Sequence, residues 1–209
     1  MTIILNKKIA EGGCSEVFEI GNNRIIKLAK ANTSFEAARR EYQNSCIAHE
    51  CGLPVPQPFE FIEVSGRPGI IVEHISGETI LERFFSMAID SNEINQADIR
   101  LTAQLLSEVH SKLYLGCGLP PQRNIIKNNI NSVNYLSTHE KVAIISLLEH
   151  LPTKQYMCHG DPNPGNIIIK NDGNAVLIDW MNASIGNPEA DIAEYIIMIS
   201  LCRSTIFST

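Results

Sequence analysis

The chain has 209 residues, 44% of them hydrophobic, and 17 Lys+Arg against 23 Asp+Glu give a formal net charge of −6. That length supports one domain or two small lobes, and the acidic balance argues against a nucleic-acid partner, whose phosphates must be met by positive charge. No run approaches the ~20 apolar residues that span a bilayer, residues 1–5 are too short an apolar run for a signal peptide, and the six cysteines (14, 46, 51, 117, 158, 202) have neither Cys-x-x-Cys nor zinc spacing. The expectation is a cytoplasmic protein with free thiols and no membrane association.

Residues 3–28 alternate strand-like runs with turns. Glu11-Gly12-Gly13-Cys14-Ser15 separates two runs, and Gly21-Asn22-Asn23 separates Val17-Phe18-Glu19-Ile20 from Arg24-Ile25-Ile26-Lys27-Leu28. The second turn is a strong hairpin signature. The Gly12-Gly13 pair reads either as an ordinary β-turn or as a loop whose backbone amides can approach phosphates; the full Gly-x-Gly-x-x-Gly pattern is absent. Lys27 sits inside a β-branched run, where a lysine commonly points to solvent. Thr33-Ser34-Phe35-Glu36 has the pattern of a capping box. It predicts a helix through Ala37-Ala38-Arg39-Arg40-Glu41-Tyr42 towards Cys51, stopped by Gly52. Phe59-Glu60-Phe61-Ile62-Glu63-Val64 and Gly69-Ile70-Ile71-Val72-Glu73 read as two further strands joined by Ser65-Gly66-Arg67-Pro68, the first with one wet face.

From Glu78 onward the pattern turns helical. Ile99, Leu101, Ala103, Leu105, Leu106, Val109 and Leu113 recur at roughly helical spacing. The Asn- and Ile-rich residues 121–135 read as a connection between helices, without an assigned role. Ser137-Thr138-His139-Glu140 predicts a helix over residues 141–151 by a second capping box, and Pro152 stops it. Residues 192–201 are apolar on nearly every helical face, so a helix there calls for burial all round, yet they are too few to cross a membrane. Exposed apolar surface of that extent marks a partner interface. The expectation is self-association through this segment, or else a truncated chain.

The most informative stretch is His159-Gly160-Asp161-Pro162-Asn163-Pro164-Gly165-Asn166. Two short runs follow, Ile167-Ile168-Ile169 and Ala175-Val176-Leu177-Ile178, joined by Asn171-Asp172-Gly173-Asn174 and leading into Asp179-Trp180. A hairpin at that turn would return Asp179 to the side of Asn166, so that both face one site. The residue types suit metal-assisted phosphoryl transfer. A phosphoryl group in flight carries negative charge on its outer oxygens, and the protein mainly positions it and neutralises it through Mg²⁺. Mg²⁺ takes hard oxygen ligands, usually one or two from protein, and an Asp with an Asn supplies them without juxtaposing two full charges. A separate Asp is needed to orient the acceptor hydroxyl and take its proton. The plainer reading is a Pro/Gly/Asn-rich surface turn, which the register of Asp179 makes harder to sustain.

His-Gly-Asp-x-x-x-x-Asn, then Ile178-Asp179-Trp180, then Gly186-Asn187-Pro188-Glu189-Ala190-Asp191-Ile192-Ala193 resembles the aminoglycoside phosphotransferase and choline kinase group of small-molecule kinases. The resemblance covers nearly the whole chain. It implies an α+β, two-lobed protein-kinase-like fold: a small N-lobe of antiparallel sheet plus helix over residues 1–75, and a larger, mainly helical C-lobe over residues 76–209. It implies Asp161 as catalytic base and Asn166 and Asp179 as Mg²⁺ ligands. Lys27 resembles the lysine that contacts the ATP α/β-phosphates and is held by a helix glutamate. Glu41 resembles that glutamate, because Gly52-Leu53-Pro54-Val55-Pro56 follows it; Glu36 is the alternative. Gly12 and Gly13 would close over the phosphates. Glu73-His74-Ile75-Ser76-Gly77 resembles the hinge, with Glu73 and Ile75 at the adenine. Asp191 resembles the buried Asp that braces the catalytic loop, against the plainer reading of a charge at a helix N-terminus. His110 resembles a family histidine, against that of a packed helix residue.

What this implies is ATP- and Mg²⁺-dependent transfer to the hydroxyl of a small molecule, an amino sugar such as an aminoglycoside or a choline-like alcohol, in a cleft between lobes. Two alternatives stand beside it. A protein kinase shares the chemistry, but Trp180-Met181 replaces Phe-Gly after Asp179, and eleven residues before Asp191 leave no room for a long activation segment. A non-catalytic nucleotide-binding or assembly protein is suggested by the 18 residues that follow Asp191, where the family normally continues with several helices of the acceptor pocket.

Overall fold

The computed structural model of the protein describes residues 4–88, 95–113 and 118–206. Its first layer is a five-stranded antiparallel sheet: β1 (Lys8–Glu11), β2 (Ser15–Gly21), β3 (Arg24–Ala29), β4 (Pro58–Val64) and β5 (Arg67–Glu73), in the order β1-β2-β3-β5-β4. Two hairpins set its register. Gly21, Asn22 and Asn23 have φ of 85°, 52° and 56°, and Ser65 and Gly66 have 52° and 78°, the left-handed backbone that tight hairpins require. The second turn is narrower than the four-residue connection expected, because Arg67 and Pro68 already pair with Val64 and Glu63. Strand pleating sends alternate side chains to opposite faces. Ile26, Leu28 and Ile71 are buried on one face, and Val17, Ile25, Lys27 and Ile70 look into a cleft on the other. Lys27 therefore does not point to open solvent.

Between β3 and β4 runs α1 (Phe35–Glu50). The expected capping box is not formed. Ser34, extended at φ −70°, ψ 158°, is the N-cap and accepts from the Ala37 amide, while the Thr33 hydroxyl donates instead to the Cys14 carbonyl at 2.9 Å. The cap moves by one residue because the β1–β2 loop takes the threonine. Glu36 stays exposed in the first turn, where its charge complements the helix dipole. Gly52, at φ 72°, ends the segment as anticipated.

The rest of the chain is mainly helical: α2 (Ile80–Ala88), α3 (Gln96–His110), α4 (Gln122–Ser132), α5 (Thr138–His150) and α6 (Pro188–Ile206). Short strands thread between the helices. β6 (Gly77–Thr79), β8 (Ile167–Lys170) and β9 (Ala175–Leu177) form one sheet, and β7 (Tyr156–Cys158) pairs with β10 (Ser184–Gly186). The α5 capping box forms as expected between Ser137 and Glu140. Helix α4 was hidden in the sequence, since asparagines are weak helix formers. It is anchored by Arg123, which donates to the Leu151 carbonyl at 2.7 Å beyond the end of α5.

One core joins these pieces, with Ala48 and Leu53 meeting Leu105, Val109, Met157, Ile167, Leu177, Trp180 and Tyr195. Helix α6 is not buried all round: Tyr195 enters the core, whereas Ile196, Ile197 and Leu201 are 57–58% exposed. Cys14, Cys46, Cys51 and Cys158 are free thiols; Cys117 and the Cys202 side chain lie outside the described residues. Among the described residues no helix is long and apolar enough to cross a membrane.

Candidate active site

Strand β7 delivers the chain to His159, which is fully buried, and the loop that follows is fastened from α6. Asp191, 1% exposed, accepts the His159 amide at 2.7 Å and the Gly160 amide at 3.0 Å. Its Oδ2 also lies 3.0 Å from His110 Nε2. A carboxylate buried this deeply is tolerable only with such bonds, so Asp191 is a brace rather than a mere helix-end charge, and His110 is its third partner rather than only a packed residue. The His159 Nε2 meets the Ile178 carbonyl at 3.0 Å and therefore carries the proton. Its Nδ1 accepts the Asp161 amide at 3.3 Å. Burial holds the His159 pKa low, against the charges of Asp191, Asp179 and Asp161, which keeps this neutral form. Gly160 is required: at φ 78°, a Cβ there would stand 2.3 Å from the Asn182 carbonyl oxygen.

Asp161 leaves this braced loop with its Oδ1 accepting from Asn163 Nδ2 at 2.7 Å, and Asn163 Oδ1 in turn accepts the Gly165 amide at 2.8 Å. Asn163 was not singled out in the sequence, although it lies inside the motif; its Asx-type turn was the available signal. Asn166 Nδ2 donates to the Asp161 carbonyl at 2.9 Å, which leaves the amide oxygen as the group on offer.

The β8–β9 hairpin then does what its turn residues promised. Ile167 pairs with Leu177, and the Ile178 amide donates to the Asn166 carbonyl at 2.9 Å, so Asp179 returns beside Asn166. Asp179 is left-handed at φ 64°, ψ 64°, a conformation that costs a non-glycine residue on the order of 1–3 kcal/mol and marks functional positions. Next to it Trp180, 1% exposed, donates to the Leu177 carbonyl at 3.0 Å and packs edge-on against the His159 ring.

Lys27 crosses from β3 to meet this end of the hairpin. Its Nζ is 2.5 Å from Glu41 Oε1 and 3.1 Å from Asp179 Oδ2; Glu36 takes no part. Burial pulls the ammonium down, but Glu41 and Asp179 outweigh it and hold the pKa above its ordinary value. Burial, with Asp179 adding to it, pushes the Glu41 carboxyl up against the pull of Lys27. The lysine thus keeps its charge with two carboxylates to share it.

These groups line one cleft of about 490 Å³, together with Gly12, Glu73 and Ile75. Gly13 and Asp161 do not line it. Gly13 belongs to a loop tied from outside: Lys30 Nζ donates to the Gly12 carbonyl at 2.8 Å, and Asn32 Nδ2 to the Gly13 carbonyl at 3.1 Å. Lys30 also pairs with Glu11 at 2.5 Å. Asp161 is close enough to Glu194 of α6 for their charges to interact; Glu194 is half-buried and without a hydrogen bond or ion pair among the described residues. Burial first, then the charges of Asp161 and Asp191, push its carboxyl up to about 7. No local pattern in the sequence marks Glu194, one turn beyond Asp191. Openings of about 790 and 890 Å³ elsewhere on the surface hold none of these groups. The Asp179 carboxylate and the Asn166 amide oxygen are hard donors at the rim of a cleft that also holds a charged lysine. That set fits a Mg²⁺ ion shared with a phosphate. No cluster of three or more His, Cys, Asp or Glu that could enclose a metal by itself occurs among the described residues.

Residues 7–204 match the model of a family described as the phosphotransferase enzyme family. No curated protein matches the sequence at a significant level. Several solved structures share the fold. A thermostable mutant of aminoglycoside phosphotransferase APH(4)-Ia, in ternary complex with ADP and hygromycin B, superposes with a TM-score of 0.68 at 15% identity, covering 96% of this chain and 75% of that one. An aminoglycoside-3'-phosphotransferase of type VIII gives 0.63 at 17% identity, covering 94% and 77%. The GDP and kanamycin complex of APH(2")-IIia gives 0.64 at 14% identity, covering 100% and 77%.

Proposed function

The chain belongs to the phosphotransferase enzyme family, and from that premise we propose that it moves the γ-phosphate of ATP directly to a hydroxyl of a small molecule, an amino sugar or a choline-like alcohol. The observation that carries the reading is Lys27 held between Glu41 and Asp179 at the cleft that Asn166 also lines. Lys27 has the reach and the charge to hold the α- and β-phosphates, with Glu41 fixing its direction. The Gly12 and Gly13 backbone would close over the phosphates, and the chain at Glu73 and Ile75 would take the adenine. Asn166 and Asp179 would ligate Mg²⁺. That ion, when bound, supplies neutralisation of charge on the transferring phosphoryl group. Asp161, turned by Asn163 and lying outside the nucleotide cleft, orients the acceptor hydroxyl and accepts its proton. We read residues 1–75 and 76–209 as the two lobes that bound this cleft.

The acceptor side favours a cation. Asp161 and Glu194 are near enough for their charges to repel, and no lysine or arginine pairs with either among the described residues. An amine on the acceptor would supply the missing charge.

The test is a screen of amino sugars and amino alcohols for ADP release with Mg²⁺, followed by Asp161→Asn on the acceptor found. Loss of a positioned base costs ~10²–10⁴-fold in rate, with nucleotide affinity retained. Turnover by Asp161→Asn at the parent rate would remove Asp161 from the role of base.

A further inference from the structure

Glu41 is not the last buried polar side chain on the inner face of α1. One turn further, Asn44 is 2% exposed. Its Nδ2 donates to the Trp180 carbonyl at 2.9 Å and to the Met181 carbonyl at 3.3 Å. These are the two residues directly after Asp179. A carboxamide is costly to bury unless its bonds are made, and a leucine of similar volume would fill the space without that requirement. The asparagine therefore has a task that packing alone does not set.

We propose that Asn44 is a positioning residue for Asp179, clamping the backbone behind it so that its carboxylate faces the metal and the nucleotide; this rests on the reading of Asp179 as a metal ligand. Residues three apart share one face of a helix, so Glu41 lines the cleft while Asn44, beside it, reaches the backbone that follows Asp179. Glu41 holds Lys27, Lys27 meets Asp179, and Asn44 grips the two carbonyls that follow Asp179. The contacts close a ring through α1. Asp179 needs support because its backbone is left-handed, a state that persists only where the surroundings over-determine it. The Lys27 pair cannot be that support throughout, since arriving phosphates compete for the same ammonium. The bonds from Asn44 run to the main chain, which no ligand competes for.

The probe is ADP, titrated calorimetrically with Mg²⁺ and with EDTA, against the parent, Asn44→Leu, Asp179→Asn and the double variant. Loss of a group that orients a metal ligand typically costs ~10–100-fold in metal affinity. Asn44→Leu should therefore lose most of the Mg²⁺-dependent tightening while binding ADP in EDTA within ~2-fold of the parent. The double variant should be no worse than Asp179→Asn, because residues acting through one group are not additive. Thr102→Val, at a buried polar site remote from the cleft, should lower the melting temperature without altering the Mg²⁺ effect. Should Asn44→Leu fail to fold, Asn44→Ser, which removes the reach without adding bulk, is read in its place. A variant at 44 that weakens ADP equally with and without Mg²⁺, or adds fully to Asp179→Asn, reduces Asn44 to a structural residue and overturns the proposal. If Asp179→Asn keeps the parent's Mg²⁺ dependence, the ligand reading falls and the proposal with it. If Asp179→Asn loses that dependence and the variant at 44 does not, the proposal alone falls.

Discussion

The two sides of the catalytic loop differ in how completely their charges are already answered. On the nucleotide side Lys27 is shared by Glu41 and Asp179, and Lys30 by Glu11 and the Gly12 carbonyl. On the side that faces α6, Asp161 has one carboxamide and Glu194 has no partner among the described residues. A site whose groups answer one another is rigid before its ligand arrives, and that rigidity lowers the ordering cost of binding. A side with uncompensated negative charge waits for the ligand to complete it. On the proposed function, the nucleotide half is thus assembled by the chain alone, and the acceptor half is the one a cationic ligand would complete.

The sharpest way to break this contrast is to remove the lysine on which the nucleotide side turns. Lys27→Ala leaves Glu41 buried without its counter-charge. Breaking a buried pair from one end costs ~3–5 kcal/mol, whereas replacing both ends with apolar groups is often nearly neutral. We expect Lys27→Ala to lower the melting temperature clearly and to weaken ADP with or without Mg²⁺, while Lys27→Met with Glu41→Leu recovers the stability but not the ADP affinity. Thermal denaturation and calorimetry on the two variants decide it. Equal melting temperatures for Lys27→Ala and the parent would mean that the ring of charges contributes nothing to the fold.

The same contrast governs what was legible in the sequence. The nucleotide side is written in local signals: the Gly21-Asn22-Asn23 turn, the β-branched run around Lys27, and the Asn171-Asp172-Gly173-Asn174 hairpin that returns Asp179 to Asn166. Each is set by a few neighbouring residues, so spacing alone carries it. The cap at Ser34 was missed by one position because its rival, Thr33, is claimed by the distant Cys14 carbonyl. Asn44 and Glu194 were missed for the same kind of reason. An asparagine or glutamate on a helix looks like any solvent-facing residue until the tertiary fold brings Trp180 to one and the charge of Asp161 near the other. Pairing across the fold leaves no period in the sequence.

Glu194 offers a finer test of the unfinished side. Its carboxyl lies at about 7, raised by burial and by Asp161 and Asp191. A carboxyl raised on folding stabilises the protein in its neutral form: that contribution is complete below the ordinary value of 4.5 and is lost as pH rises through about 7. Glu194→Gln removes the loss, so its melting temperature should gain on the parent between those two pH values and hold a constant lead above them. For an amine acceptor the sign reverses, because ionised Glu194 attracts it. The parent's KM should fall by ~3–10-fold as pH rises through that window, as suits a partly exposed charge pair worth ~1 kcal/mol, and the variant's should not. Parallel pH profiles of KM for the two proteins would take Glu194 out of acceptor binding.

The smallest expected effect concerns the outer face of the same helix. Ile192, Ile196, Ile197 and Leu201 stand exposed on α6, on either side of Glu194 along the helix. Burying a single such side chain is worth ~1.5–3 kcal/mol at most, and association must first overcome the loss of translational freedom. A few isoleucines therefore support weak pairing of copies at best, with a dissociation constant on the order of micromolar or above. The sequence-based expectation of self-association through residues 192–201 predicts that light scattering finds a concentration-dependent dimer in the parent at tens of micromolar. Ile196→Glu with Ile197→Glu should return it to monomer while leaving ADP affinity unchanged, since neither residue lines the nucleotide cleft. A parent that stays monomeric over that range ends the expectation, and the exposed face of α6 is then ordinary surface rather than a second unfinished contact.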